Sequence, residues 1–182
     1  MKAFHTIPAA LTPDQCAQAI ALAQSAGLRA GRLVGQVASD LRRADLAWVD
    51  DLPDAAWIMD RMVRVVAGAN RDAFDFALDD FAESAQIARY GATGRGHFDW
   101  HSDIGAGALA ARRKLTIVVQ LSDPADYAGG RLELQPDSSV QAADTAQGTA
   151  TIFPSFVLHR VTPVTTGTRW SLTLWAHGPT FR

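Results

Sequence analysis

Histidine and aspartate alternate along one short segment of the sequence, where every second residue from 97 to 103 is one or the other. Successive side chains of a β-strand point to opposite faces. We therefore expect four side chains on one face: His97, Asp99, His101 and Asp103. Carboxylates on a buried face need a partner or water, so this face is a poor wall for a hydrophobic core. Imidazole and carboxylate groups together are better suited to binding a metal ion.

A third candidate ligand, His159, lies in the later segment PSFVLHRVTPV. A His-x-Asp pair with a distant histidine is typical of the site in which two histidines and one carboxylate hold non-haem Fe(II), leaving three coordination positions open. Two pairs have this spacing, 97 with 99 and 101 with 103, and alternation alone does not choose between them. Surface ion pairs also produce this spacing by chance, so the motif alone leaves a purely structural role open.

A buried cation is predicted close to this candidate metal site. Arg169 and Ser171 share strand parity and follow His159, and Pro163 and Gly167 between them suit a hairpin turn. We therefore expect the Arg169 strand to lie beside the His159 strand. An arginine inside a small barrel is unfavourable unless an anion pairs with it, and the guanidinium fork fits a carboxylate. The pattern predicts a small carboxylate-bearing ligand next to the metal.

The elements that must position these residues fall into two parts. Before about residue 82 the sequence predicts helical support: a helix capped by Thr12 and ended by Gly27, and a second helix running from Pro53 to residue 74. Between these helices, residues 33–38 and 46–49 are predicted short strands. From about 83 to 178, seven or eight short strands follow one another with turn residues between them. A mostly β fold with N-terminal helices, of the jelly-roll type, is therefore expected over a single domain, 1–182.

Composition excludes several classes of function. The formal net charge is −2, and no basic block is longer than residues 112–114, which argues against nucleic acid and against an anionic membrane surface as partners. A single cysteine, Cys16, rules out an intrachain disulfide and a four-cysteine zinc site. The sequence shows neither an apolar signal segment nor a run of about 20 apolar residues. We expect a soluble, cytoplasmic protein, with its oligomeric state open.

Three segments together resemble the Fe(II)/2-oxoglutarate dioxygenases of the prolyl 4-hydroxylase-like group. They are GHFDWHSD at 96–103, RKLTIVVQLSDPADYAGGRLEL at 113–134, and FPSFVLHRVTPVTTGTRWSLTLW at 153–175, preceded by Tyr90-Gly91. The similarity runs from about residue 84 to 177. It implies a double-stranded β-helix, which is a cupin-like jelly roll, with supporting α-helices.

The resemblance also implies which residues bind the metal. The family ligands correspond to His101, Asp103 and His159, and the family-like context Trp-His-Ser-Asp favours this pair over 97 and 99. The halogenases of the family lack the carboxylate, so the presence of Asp103 implies hydroxylation.

The co-substrate pocket follows from the same resemblance. Arg169 would bind the carboxylate of 2-oxoglutarate that is remote from the metal, with Ser171 as a second donor. Tyr90 matches a family tyrosine that lines this pocket. Gln120 stands where related enzymes can carry another tyrosine, and Thr116 shares its face, so both are further candidates to line the pocket.

The implied activity is hydroxylation of an unactivated C–H bond with Fe(II), 2-oxoglutarate and dioxygen, with succinate and carbon dioxide as co-products and ascorbate as a reductant. An amino acid, a peptidyl residue or another small molecule could be the substrate, and desaturation or demethylation could be the outcome. Two other classes stay open, a non-catalytic metal-binding jelly-roll module and a metal-dependent hydrolase. The Gly- and Ala-rich segment 104–114 is interpreted as an ordinary loop, with a mobile lid as the alternative.

Overall fold

The computed structural model describes residues 3–30 and 41–181. The described chain forms two α-helices, α1 (Pro13–Ala26) and α2 (Ala56–Ala69). Its strands, in chain order, are β1 (His5–Ile7), β2 (Arg29–Ala30), β3 (Arg42–Arg43), β4 (Asp45–Trp48), β5 (Gln86–Gly91), β6 (His97–His101), β7 (Arg113–Gln120), β8 (Tyr127–Gly129), β9 (Leu132–Gln135), β10 (Gln141–Ala142), β11 (Ala150–Pro154), β12 (Leu158–Val161) and β13 (Val164–His177).

Two antiparallel sheets face each other across a central cavity. The larger sheet has the order β1-β11-β7-β13-β5-β4-β2, with β8 added along the first part of β13. The smaller sheet has the order β10-β9-β12-β6-β3. Side chains from both sheets line the cavity. The mostly β, jelly-roll architecture with supporting helices is confirmed. Strands β1 to β4 come from before residue 82, so this part of the chain contributes to both sheets as well as supplying the helices.

The two helices begin and end for identifiable reasons. Thr12 caps α1: its hydroxyl accepts the backbone N–H of Gln15, and the Gln15 side chain accepts the backbone N–H of Thr12, so the predicted capping box is present. Helix α2 begins at Ala56 and not at Pro53, because Asp54 has a φ of +59°, which a helix cannot continue through. After Ala69 the chain adds a π-helical turn over Asn70–Phe74.

The helices cover the outer face of the larger sheet. In β7, Leu115, Ile117 and Val119 pack into the core with α1 and α2, whereas Val118 and Gln120 point into the barrel. The same alternation in β13 places Leu172 and Leu174 in the core and Ser171 and Thr173 in the cavity. Each fully buried Leu or Ile contributes about 1.5–3 kcal/mol, so the apolar parity of these strands fixes which side chains face inward.

The predicted hairpin between the His159 and Arg169 strands is wrong. Strand β12 pairs with β6 and β9 in the smaller sheet, and β13 pairs with β5, β7 and β8 in the larger one. Gly167 lies within β13 at a φ of +69°, where a Cβ atom would come 2.0 Å from the carbonyl oxygen of Asp126. The chain therefore crosses between sheets near Pro163, and His159 and Arg169 approach the same interior from opposite walls.

The predicted short strands and the segment 104–114 can also be compared with the structure. Residues 46–49 fall largely in β4, as expected, while the strand predicted over 33–38 lies outside the described residues. In the segment 104–114 the chain makes a 3₁₀ turn over Ala110–Arg112 before β7 begins at Arg113. None of the helices described is long and apolar enough to cross a membrane.

Candidate metal centre and adjoining cavities

Three side chains meet at one end of the smaller sheet. His101 ends β6 and pairs directly with His159 of β12, and Asp103 follows two residues after β6. The Asp103 carboxylate oxygens lie 3.6 Å from His101 Nε2 and 3.5 Å from His159 Nε2. Within the described ranges 3–30 and 41–181, this is the one group in which three potential ligand atoms lie within 4.8 Å of one another. Two imidazoles and one carboxylate are thus gathered around a common point.

Backbone carbonyls fix the orientation of both imidazoles. His101 Nδ1 donates to the carbonyl of Asp99 over 2.7 Å, and His159 Nδ1 donates to the carbonyl of Val157 over 3.0 Å. Because a carbonyl can only accept, each Nδ1 carries a proton, and Nε2 is the ring nitrogen that faces Asp103 in both histidines. This arrangement, with the second ring nitrogen held by an outer group, is the usual one for metal-binding histidines.

A β-bulge in β6 overturns the expectation that residues 97, 99, 101 and 103 share one face. Opposite β12, His159 pairs with His101 but Val161 pairs with Phe98, so β6 contains one extra residue. Phe98 consequently turns inward with His101, and their rings stack with centroids 3.5 Å apart. Asp99 is exposed and accepts the backbone N–H of Trp100. His97 and Asp99 are therefore not gathered with His159.

The electrostatics of this group keep it ready to bind a cation. Burial, reinforced by the neighbouring His159, lowers the pKa of His101 to about 4. Burial opposes ionisation of Asp103, but His159 and His101 outweigh it and hold the pKa of Asp103 below its ordinary value. Near neutral pH the group thus offers a neutral His101 imidazole and an ionised carboxylate, the protonation states that a metal ion requires.

Side chains and backbone groups around Asp103 hydrogen-bond both to its carboxylate and to its backbone. The Thr116 hydroxyl donates to its carboxylate over 2.8 Å and lies 3.0 Å from the Ser155 hydroxyl. The backbone N–H of Asp103 donates to the Ser155 carbonyl, and Arg113 donates to the Asp103 carbonyl. Thr116, predicted to line a co-substrate pocket, is therefore found against the carboxylate itself. Its contact suits a residue that positions Asp103.

A second, smaller cavity adjoins the first and is lined by Arg169. Val118 and Leu132 line both cavities, so the two share a wall. The Arg169 side chain is 2% exposed, and its Nε donates to Gln120 Oε1 over 3.1 Å. Its Nη1 is buried and has no hydrogen-bond partner. Burial lowers the pKa of this guanidinium, and no carboxylate of the described residues forms an ion pair with it.

The remaining predicted pocket residues lie around Arg169 or beside the three-residue group. Gln120 bridges Arg169 and the Tyr127 hydroxyl, which is 2.5 Å from Gln120 Nε2. Tyr90 and Ser171 are buried and line the first cavity, and the Tyr90 ring centroid is 5.5 Å from Arg169 Cζ. All of the predicted pocket residues other than Thr116 therefore cluster around Arg169 or the wall next to it.

Sequence reasoning missed three residues that line the Arg169 cavity. Thr149 and Thr151 are buried polar residues on the inward face of β11 and its approach. Their signal was present, because threonine alternates with apolar residues in this segment. Tyr127 begins the short strand β8, and nothing in its local pattern indicates an inward side chain. Gly130 is also required here, since a Cβ atom would lie 3.0 Å from Arg169 Cδ.

Comparison with known proteins adds a family match to this geometry. Residues 85–177 match the model of the 2OG-Fe(II) oxygenase superfamily. A PKHD-type hydroxylase of Delftia acidovorans is 31% identical over 184 residues, an alignment that covers 94% of this chain and 76% of that protein. The PKHD-type hydroxylase PiuC of Pseudomonas aeruginosa is 35% identical over 88 residues, covering 46% of this chain and 39% of that protein.

Solved structures share the fold at lower identity. A Pseudomonas putida prolyl-4-hydroxylase has a TM-score of 0.74 and 22% identity, over 97% of this chain and 93% of its own. A Trichoplax adhaerens prolyl hydroxylase, solved with a peptide fragment of the hypoxia inducible factor oxygen degradation domain, has a TM-score of 0.79 and 20% identity, over 96% and 83%. These likenesses support the jelly-roll fold.

Proposed function

Since this chain belongs to the 2OG-Fe(II) oxygenase superfamily and is a hydroxylase-type dioxygenase, we propose that it hydroxylates an unactivated C–H bond of an amino acid, a peptidyl residue or another small molecule. Fe(II) and 2-oxoglutarate are the cofactor and co-substrate that the family implies. Succinate and carbon dioxide are the proposed co-products. We include ascorbate as a reductant and, because the only cysteine is a buried thiol, the cytoplasm as the place of action.

The three-residue group fits Fe(II) by its donor chemistry. His101, Asp103 and His159 offer two imidazole nitrogens and one carboxylate, the facial set that leaves positions open for other ligands. The Nδ1 protons are committed to backbone carbonyls, so both Nε2 atoms are available. In this proposal Thr116 holds the Asp103 carboxylate in its binding orientation. Such outer contacts commonly change metal affinity by about 10- to 100-fold.

One observation carries the co-substrate assignment: the buried Arg169 Nη1 has no hydrogen-bond partner in the part of the chain that the structure describes. An unpaired buried donor is costly, and a charged one more so, unless a ligand satisfies it. In this proposal the remote carboxylate of 2-oxoglutarate binds this nitrogen from the cavity that Arg169 lines. Thr149, Thr151 and Tyr127 supply further hydroxyl groups around the same position.

Each set of residues then has a defined part in the reaction. Held by His101, Asp103 and His159, Fe(II) together with 2-oxoglutarate would supply the activation of dioxygen, with one oxygen atom ending in succinate as carbon dioxide leaves and the other entering the substrate C–H bond. The protein supplies position and a protected pocket. Arg169 anchors the co-substrate, and the apolar wall formed by Val118 and Leu132 limits water between the two cavities.

A metal-dependent hydrolase is the weaker candidate. Hydrolysis at this metal would need a nearby general base. Asp103 is the only carboxylate among the described residues that line the metal cavity, and it is itself a candidate ligand. Hydrolysis also gives no role to the unpaired Arg169. A non-catalytic metal-binding module would likewise have no need of an unpaired cation in an enclosed cavity.

The test combines a spectrum with a turnover assay. Anaerobic protein with Fe(II) and 2-oxoglutarate is expected to show a weak visible charge-transfer band that succinate in place of 2-oxoglutarate does not give. With dioxygen and ascorbate, a screen of amino acids and proline-containing peptides is then followed by succinate release. Absence of the band, together with tight zinc binding and hydrolytic activity, would refute the proposal.

A further inference from the structure

A second arginine, Arg42, lines the metal cavity and belongs to the smaller sheet, whereas Arg169 belongs to the larger one. Arg42 lies on the edge strand β3, where its Cα pairs with that of Phe98, and its side chain lines the cavity together with His101 and His159. The Arg42 Cζ atom lies 4.7 Å from the centroid of the Phe98 ring, which in turn stacks on the His101 imidazole. The guanidinium is therefore only one ring removed from a candidate metal ligand.

Among the residues that the structure describes, the Arg42 guanidinium has few hydrogen-bond partners. Arg42 Nη2 donates to Gln86 Oε1 over a long 3.3 Å, and Arg42 Nε is buried with no hydrogen-bond partner. No carboxylate of the described residues forms an ion pair with it. Many other arginines of this chain do have such a partner: Arg71, Arg89, Arg112, Arg113 and Arg160 each pair with an Asp or Glu.

The Arg42 side chain reaches from one sheet to the other, and a hydrogen bond at its far end holds it in this position. The backbone of β3 belongs to the smaller sheet, whereas Gln86, its hydrogen-bond acceptor, belongs to β5 of the larger sheet. Gln86 is itself 7% exposed and lines the same cavity. A neutral amide can orient a guanidinium but cannot neutralise it, so the positive charge of Arg42, which lines the cavity, has no counter-ion among the described residues.

Arg42 and Arg169 differ in how a ligand reaches them. Arg169 is almost completely buried in an enclosed cavity lined by threonines and a tyrosine, which suits a co-substrate held during turnover. Arg42 is only half-buried and lies on an edge strand, so it is reached from the open side of the metal cavity. A molecule that enters and leaves in each cycle would meet Arg42 first.

From these contacts we propose that Arg42 binds a carboxylate of the primary substrate, an assignment that rests on the proposed dioxygenase function. The substrate class is then a molecule with a free carboxylate close to the C–H bond that reacts. A free amino acid and the C-terminal residue of a peptide share this chemistry. A residue inside a polypeptide, whose carboxyl group is in an amide bond, does not.

The experiment uses matched acids and amides. Protein with Fe(II), 2-oxoglutarate and ascorbate is given the common L-amino acids and the dipeptides Gly-X, each as the free acid and as the C-terminal amide, and succinate release is measured. The free acids are expected to stimulate turnover, and the amides are not. Comparing amino acids with dipeptides then shows whether the carboxylate belongs to a free amino acid or to the C-terminal residue of a peptide. Arg42→Gln should raise the KM for the stimulating acid at least tenfold, and Arg42→Lys should recover part of that loss. The exposed helix variant Arg64→Gln is the matched control.

A binding measurement covers the case in which no compound in the panel is turned over. With Zn(II) in place of Fe(II) and 2-oxoglutarate bound, acetate is titrated while the Nε–H signal of Arg42 is followed by ¹⁵N NMR. A saturable shift of that signal supports the proposal, and no shift overturns it. Equal stimulation of turnover by acids and amides also overturns the proposal. So does an Arg42→Gln variant whose KM for the acid is unchanged, as in Arg64→Gln, or whose defect is in 2-oxoglutarate binding. Failure of the dioxygenase function is seen separately, as absence of the Fe(II)–2-oxoglutarate band in the unmodified protein.

Discussion

Replacing Arg169 by methionine should separate ligand binding from folding. Methionine keeps an unbranched side chain of similar reach but removes the charge and all the donors. In the free protein the guanidinium donates from Nε to Gln120 and interacts with Tyr127, while its Nη1 has no partner among the described residues. The variant is therefore expected to bind 2-oxoglutarate much more weakly and to fold almost as stably as the unmodified protein.

The magnitudes follow from these contacts. A hydrogen bond to a charged group contributes about 1.5–3 kcal/mol, so losing the pair between Arg169 and the carboxylate should weaken 2-oxoglutarate binding by roughly 10- to 100-fold. Without the ligand, losing the bond to Gln120 is offset by no longer burying an unpaired donor, which costs about 1–3 kcal/mol. The free energy of unfolding should thus stay within about 2 kcal/mol of its original value.

Two measurements on the same variant decide the matter. Calorimetric titration of 2-oxoglutarate into Zn(II)-loaded protein gives the affinity without turnover, and urea unfolding of the metal-free protein gives the stability. Arg89→Met serves as the control, because Arg89 forms a half-exposed ion pair with Asp45 on the outer side of β5. An Arg169→Met protein with unchanged 2-oxoglutarate affinity and a loss of stability well above 2 kcal/mol would refute the reasoning, since Arg169 would then serve only the fold.

Three further predictions concern the metal centre and its support. His101→Ala should abolish stoichiometric Fe(II) binding in equilibrium dialysis, whereas His97→Ala should retain it; the opposite pattern would move the site along β6. Thr116→Val should weaken Zn(II) binding by about 10-fold or more in a competition assay with a chelator, since the carboxylate ligand loses its hydroxyl donor, and an unchanged affinity would count against that role. Burial opposes ionisation of Glu83, but the ion pair with Arg113 outweighs burial and keeps the Glu83 pKa below its ordinary value. This ion pair therefore stabilises the fold fully above about pH 4.3, and its contribution is lost as the pH falls through the lowered pKa. Urea unfolding from pH 7 to 3 should therefore show a smaller loss of stability for Glu83→Gln than for the unmodified protein, and parallel curves would exclude this contribution.

Much of the fold could be predicted because local pattern and tertiary packing agree. The capping residues at Thr12 mark the start of α1, and alternation in β7 separates the core-facing Leu115 and Ile117 from the cavity-facing Gln120. The pairing of strands was harder to predict. Pro163 and Gly167 suit a hairpin locally, but the chain uses them to cross from one sheet to the other, and no local signal distinguishes a hairpin from a crossover.

The same distinction applies to the candidate site. Strict alternation puts Phe98 and His101 on opposite faces, and a single extra residue in β6 brings their rings into contact. A bulge is set by the pairing of β6 with β12, so the residues of β6 alone do not reveal it. Tyr127 and Arg42 were missed for a related reason: each comes from a strand too short to show a period, and each reaches the cavity through its partner strands.

The two incompletely satisfied guanidinium groups suggest how one small barrel can handle two carboxylates. If Arg169 and Arg42 bound the same kind of ligand, the 2-oxo acid could compete for the substrate position and block it. The structure separates them by burial, because Arg169 is almost completely buried while Arg42 is half-buried on an edge strand. Val118 and Leu132 line both cavities, so a ligand that reaches from the metal group to Arg169 contacts these apolar side chains, whereas Arg42 lines the metal cavity itself. Selectivity between co-substrate and substrate would then come from depth and shape, because both arginines offer the same charge.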